Sequence, residues 1–147
     1  MTTIVTERVL IDTNVVVSAF DPHRADHARA RYIVESDLRD LAVAHQSLRE
    51  FLAIMTRPLG LNGYGFDGRR ATTAWHALTA TVSHLAESQA SQALLMSLVG
   101  NGLASGKQVH DANLVAVALD HGATTLITAN PRHFNRFSHL ITIESLS

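Results

Sequence analysis

The sequence predicts an α/β fold in which a parallel sheet is covered by helices on both faces. Two observations carry this. Short apolar runs alternate with segments whose apolar residues recur at helical spacing. The first run, Val9-Leu10-Ile11, is apolar at consecutive positions, as suits a strand buried on both sides. No internal repeat or low-complexity tract interrupts the alternation.

The first strand ends at Asp12-Thr13-Asn14, and residues 15–20 start a helix. Residues 23–36 are rich in Ala and Arg, with Ala30, Ile33 and Val34 at helical spacing, and residues 41–44 read as a second strand. Ser47 opens a helix whose stripe is Leu48, Phe51, Leu52 and Met55, stopped by Pro58. Residues 59–68 hold four of the eight glycines and form a loop. Residues 71–86 place Trp75, Leu78, Val82 and Leu85 on one helical face, and residues 91–103 form another helix. Residues 111–121 are a helix ended by Gly122, 124–128 a strand, 131–137 a short helix and 140–143 a last strand. In such sheets ligands sit outside the carboxyl ends of the strands. Asp12 and Asn130, each just past a strand, therefore point into one mouth, and Asp111 has to lie close by for a site to form.

At 147 residues the chain is expected to be a single domain spanning 1–147. Its 46% hydrophobic and 17% charged residues are globular proportions. The lack of cysteine excludes a disulfide scaffold, a thiolate zinc site and a cysteine nucleophile, and it suits the reducing cytoplasm. The first eight residues carry no leader pattern, and residues 114–119, the longest clean apolar run, fall far short of the ~20 a membrane span requires. The net charge of −1 advertises neither nucleic acid nor membrane, although eleven of the twelve basic residues are arginines, whose forks match phosphate oxygens.

Of thirteen carboxylates, Asp12 and Asp111 stand among apolar neighbours. A carboxylate at the edge of a core loses hydration and needs hydrogen bonds, a cation or a proton. Structural roles are open to each. Asp12 suits the N-cap of the helix that follows it, and Asp111 can cap or complement its own helix. Ser47-Leu48-Arg49-Glu50 has the form of a capping box in which Glu50 reaches back to the Ser47 amide. If the three acids instead meet at the sheet mouth, they repel one another and stay ionised only beside a cation. Oxygen ligands without thiolate favour Mg²⁺ or Mn²⁺. His23 and His27 lie in an arginine-rich stretch expected to be solvated, and His110 reads as a packed or hydrogen-bonded side chain.

Four segments together resemble a PIN-domain ribonuclease, specifically the VapC-type toxin of a type II toxin–antitoxin pair. They are Leu10-Ile11-Asp12-Thr13-Asn14, Ser47-Leu48-Arg49-Glu50-Phe51-Leu52, Val109-His110-Asp111-Ala112-Asn113-Leu114-Val115-Ala116 and Leu126-Ile127-Thr128-Ala129-Asn130-Pro131-Arg132-His133-Phe134. The likeness runs from residue 9 to residue 143. It implies an α/β/α sandwich with a central parallel sheet and an acidic pocket binding Mg²⁺ or Mn²⁺. Asp12, Glu50 and Asp111 match the family's acidic, metal-binding positions, Asn14 a polar residue near the first aspartate, and Thr128 a hydroxyl lining the pocket. Asn130 stands where many members carry a fourth acid, and His133 where an aspartate is often found. Three carboxylates favour one firmly held ion, with a second bound only when substrate phosphate supplies ligands.

The resemblance further implies an endoribonuclease that hydrolyses RNA through metal-activated water, leaving 5′-phosphate and 3′-hydroxyl ends. Asp12 and Asp111 would hold the ion, and Glu50 would position or deprotonate the water. The implied partners are an RNA substrate, a cognate antitoxin whose peptide enters the pocket region along residues 23–36 and 47–57, and a second copy in a homodimer. Arg132 and Arg136 are candidate phosphate contacts, and residues 58–70 a candidate determinant of RNA choice. The alternative is a non-catalytic α/β binding module whose acids are helix caps.

Overall fold

Val9, Leu10 and Ile11 are fully buried because their strand runs through the middle of the molecule. The computed structural model describes residues 6–147; residues 1–5, part of the stretch without a leader pattern, lie outside the described residues. The sheet contains β1 (Arg8–Ile11), β2 (Asp40–Ala44), β3 (Ser83–Leu85), β4 (Thr125–Thr128) and β5 (Thr142–Ser145). Its order is β3-β2-β1-β4-β5, and every neighbouring pair is parallel.

Successive residues of a strand point to opposite faces, so the sheet divides its apolar side chains between two cores. Val9, Ile11, Leu41, Val43 and Ile127 enter one; Leu10, Ala42, Ala44 and Leu126 enter the other. The first core is covered by α1 (Thr13–Phe20), α2 (His27–Ser36), α3 (His45–Thr56) and α4 (Gly68–Leu78), through Val16, Ile33, Phe51 and Trp75 among others. The second is covered by α5 (Gln89–Gly100) and α6 (Gln108–Asp120), with Phe137 from the second of two short 3-10 turns, Pro131–His133 and Asn135–Phe137, and Phe134 from the junction between them. The result is the expected α/β/α sandwich. No helix among the described residues is long and apolar enough to cross a membrane.

The chain travels outward from β1 through β2 to β3, then returns to the other side of β1 for β4 and β5. The direction of winding therefore reverses between β1 and β4. Loops leaving neighbouring strands at such a reversal diverge and leave a crevice at their carboxyl ends. Asp12 follows β1 and Asn130 follows β4, on the two lips of that crevice.

Several segments differ from the sequence reading; the short helix expected over residues 131–137, for one, is a pair of 3-10 turns. Residues 71–86 are not one helix: α4 ends at Leu78, where the Thr79 hydroxyl donates to the Trp75 carbonyl at 2.7 Å, and β3 follows. Val82 faces the same core as Trp75 and Leu78, so a turn preserved the apolar spacing of a continuing helix. The last strand begins at Thr142 rather than Leu140; Ile141 is buried in the second core ahead of it, and this edge strand is largely polar. The helix expected from residue 23 starts at His27, because Pro22 and an Asp21 side chain accepting the His23 amide at 2.9 Å make a turn first. His27 is not left to solvent either, since its Nδ1 lies 2.7 Å from the Ser18 carbonyl.

Phe51 is fully buried with its ring centroid 5.3 Å from that of Trp75. Phe51→Ala is expected to lower unfolding free energy by about 3–5 kcal/mol, seen as a lower urea midpoint at unchanged slope.

Candidate active site

Asp12 occupies the first position beyond β1 and is the N-cap of α1. One carboxylate oxygen, Oδ1, accepts the Thr13 amide at 2.7 Å. The other, Oδ2, accepts the Thr128 hydroxyl at 2.8 Å and the Asn14 side-chain amide at 3.2 Å. Those partners are themselves fixed. Asn14 Oδ1 accepts the Ala129 amide at 3.0 Å, and Thr128 Oγ1 accepts the Asn130 amide at 3.0 Å. Thr128 is wholly buried. Asn14 and Thr128 thus clamp the first aspartate against the end of β4.

Glu50 does not cap its helix. α3 begins at His45, two residues earlier than the Ser47 pattern implied, with Ala44 at the N-cap and no side-chain cap. Ser47 is buried inside the first turn, its hydroxyl without a partner. One turn further on, Glu50 is held from two sides: Thr13 Oγ1 donates to Oε2 at 2.6 Å and Gln46 Nε2 to Oε1 at 2.9 Å. Gln46 Nε2 also donates to the His110 carbonyl at 3.0 Å, and Gln46 Oε1 accepts from Asn113 at 2.8 Å. Asp111, in the first turn of α6, leaves the N-cap to Lys107 and lies where negative charge suits the helix dipole.

Asp12, Glu50 and Asp111 all line one cleft of about 250 Å³ with Asn14, Asn130 and His133. Burial pushes the Asp12 carboxyl up to about 6, against the pull of its Thr128 and Thr13 hydrogen bonds, and the negative charges of Glu50 and Asp111 push the same way. Asp111 is also raised, by burial first and by Glu50, while His133, Arg136 and His110 pull it down. Two facts bear on a cation. The donors are all oxygens and their charge is under-compensated, which fits Mg²⁺ or Mn²⁺. Among the described residues, no three Asp, Glu or His side chains converge as a ready-made metal cage. Magnesium sites often use only one or two carboxylates and complete the shell with water and phosphate oxygens, so the cleft fits such an ion.

A family model of the PIN domain matches residues 9–140, a span that includes all three acids. The chain belongs to the PIN-domain family. No curated protein sequence matches it. Among solved structures, DNA-bound VapBC from Salmonella typhimurium is similar with a TM-score of 0.69 at 17% identity, over 97% of this chain and 100% of that one. A toxin–antitoxin complex from Klebsiella pneumoniae gives 0.64 at 20% identity, over 95% and 98%. VapC20 from Mycobacterium tuberculosis, a sarcin-ricin loop cleaving toxin, gives 0.59 at 18% identity, over 80% and 86%. At these identities the likeness is one of fold.

Within this PIN domain the sequence pointed to the acids and to Asn14 and Thr128, which hold Asp12, but missed Thr13 and Gln46, which hold Glu50. Gln46 lies one helical turn before Glu50 on the same face, the spacing at which side chains meet, and could have been found that way. Thr13 belongs to the quoted first motif. Arg24, which also lines the cleft, has no sequence signal that separates it from the other arginines. Of the two arginines after β4, Arg132 is exposed, whereas Arg136 is half-buried with an unpartnered Nε and a charge felt by Asp111.

The raised Asp12 carboxyl has a consequence for stability. The folded protein holds this proton more tightly than the unfolded chain, so the stabilisation is complete below about pH 4 and lost as pH rises through about 6. Without divalent cations, Asp12→Asn is expected to be more stable than the parent near pH ~7.5, by up to about 3 kcal/mol, and equal to it near pH ~4. Urea unfolding at the two pH values checks this.

Proposed function

We propose that this PIN domain, read as one nuclease domain over 1–147, is a divalent-metal-dependent endoribonuclease and the VapC-type toxin of a toxin–antitoxin pair, acting in the cytoplasm. The observation that carries the reading is the meeting of Asp12, from the end of β1, with Glu50 of α3 and Asp111 of α6 in one cleft at the carboxyl end of a parallel sheet. The family membership and the toxin–antitoxin complexes among the similar folds support it. A module whose acids are merely caps would need all three to cap. Asp12 alone does.

Asp12 and Asp111 would hold the cation, with Glu50 beside them. When bound, the ion supplies counter-charge for the phosphate and lowers the pKa of a water molecule. The remaining work falls to the side chains. Thr128 and Asn14 fix the Asp12 carboxylate, so its oxygens need no reorganisation when substrate arrives. Thr13 and Gln46 each take one lone pair of Glu50 and leave the others facing the cleft. There Glu50 orients the attacking water and accepts its proton. The water oxygen bonds to phosphorus as the bond to the 3′-oxygen breaks in line, and the departing 3′-oxygen takes a proton from solvent, giving 5′-phosphate and 3′-hydroxyl ends. Asn130, which lines the cleft, contributes an amide without charge, so a second ion would need phosphate oxygens to complete its ligands. His133 and Arg136 offset the negative charge near Asp111. An antitoxin and a second copy of the chain are the proposed protein partners.

Asp12→Asn is expected to abolish cleavage of RNA with the fold retained, and Glu50→Gln to lower kcat by about 10²–10⁴-fold. Millimolar Mn²⁺ should raise the unfolding midpoint of the parent but not of Asp12→Asn. In cells, growth arrest on expression, relieved by a neighbouring small open reading frame and lost in Asp12→Asn, tests class and partner together. An undiminished rate in Asp12→Asn removes the mechanism.

A further inference from the structure

A larger pocket of about 540 Å³ adjoins the acidic cleft, and Arg24 lines both. Ala25, Asp26, Arg29, Leu146 and Ser147 complete its wall. Leu146 of the pocket and Asp12 of the cleft are also linked through Thr128, which lies behind both walls and lines neither. The Leu146 amide donates to the Thr128 carbonyl at 2.8 Å, while the Thr128 hydroxyl donates to Asp12. A chain lying in the cleft and continuing past Arg24 would enter this pocket.

The wall has three kinds of chemistry. Leu146, 1% exposed, and Ala25 make an apolar surface. Arg24 and Arg29 bring two guanidinium groups that are only loosely engaged, Arg24 at 3.9 Å from Asp21 and Arg29 at 3.6 Å from Glu144. Both ion-pair distances exceed a hydrogen bond; the Arg24 guanidinium also engages the Tyr64 hydroxyl, and of the five N–H donors on each fork most stay available. Asp26 stands at the N-cap of α2, yet its side chain caps nothing and lines the pocket instead. Two cationic forks with donors to spare, an apolar surface and a carboxylate that caps nothing suit a ligand with an anionic group, a flat ring and N–H donors. A nucleotide has all three.

We propose that this pocket receives the nucleotide flanking the scissile phosphodiester, with Arg24 binding its phosphate and Asp26 reading its base. The inference rests on the ribonuclease reading. Arg24 stands where the backbone passes out of the acidic cleft, and a guanidinium fork matches two phosphate oxygens at once. Ala25 and Leu146 support the face of the base. Asp26 accepts from the pairing edge of guanine, adenine or cytosine, each of which carries an amino group. Uracil sets carbonyl oxygens beside its single N–H, and the carboxylate repels them. The pocket therefore selects a base with amino donors at one position beside the cut.

Steady-state cleavage of short single-stranded RNAs that differ only at the positions flanking the cut tests this, with Mn²⁺ present throughout. Arg24→Ala should raise KM about ten- to hundredfold with kcat little changed, and Arg24→Lys should fall between it and the parent. Asp26→Asn should erase the discrimination against uracil at one flanking position. Arg24 is exposed and the Asp26 side chain holds no cap, so melting temperatures should stay at the parent value. If the parent cleaves and both variants keep its KM and base preference, the subsite is wrong while the ribonuclease reading stands. If the variants cleave normally but lose a co-expressed protein partner, the pocket belongs to that partner and the inference falls. If the parent cleaves none of the RNAs, the ribonuclease reading fails first and takes the subsite with it.

Discussion

Everything at the mouth of this sheet depends on one desolvated carboxylate. Asp12 is carried to the end of the central strand by three fully buried apolar residues and cannot move back into water without unthreading them. Three side-chain and backbone donors hold it, yet burial still outweighs them. The site is thus a place where negative charge is concentrated beyond what the protein itself neutralises. An excess of that sign is what the two positive charges of a divalent cation would meet.

The topology explains why the imbalance arises at this place. Winding outward on one side of β1 and back on the other opens a crevice between β1 and β4, and both strands end in polar residues that hydrogen-bond across it. The second and third acids arrive from opposite faces, Glu50 on α3 over the first core and Asp111 on α6 over the second. The sheet therefore acts as a spacer that brings helices from separate layers to a common edge.

Much of this architecture is legible in the residues. Buried β1 shows as an uninterrupted apolar run, and α3 and α6 as segments of helical length, because each makes its contacts through its own side chains. What was hidden depends on distant partners. β3 has three residues, too few for any period to show, and Val82 continued the spacing of α4 because it faces the same core. The last strand is an edge, where polar residues are tolerated and apolar runs lose their meaning. Ser47 and Glu50 have the local form of a capping box, but the helix begins earlier, and a hydroxyl from α1 claims the glutamate. The three acids could be read from type and neighbourhood; Gln46 and Arg24 acquire their roles only through contacts that the chain makes after folding.

Gln46 has a wider implication. Its side chain touches Glu50, the carbonyl of His110 and the amide of Asn113, and so spans from α3 to the start of α6. It is a crossbeam between two layers that the sheet otherwise keeps apart. The gape between the second and third acids is consequently tied by one uncharged amide, in addition to the packing of each helix on its own core. The outer surfaces of both helices are thereby free to vary while that link across the cleft is kept.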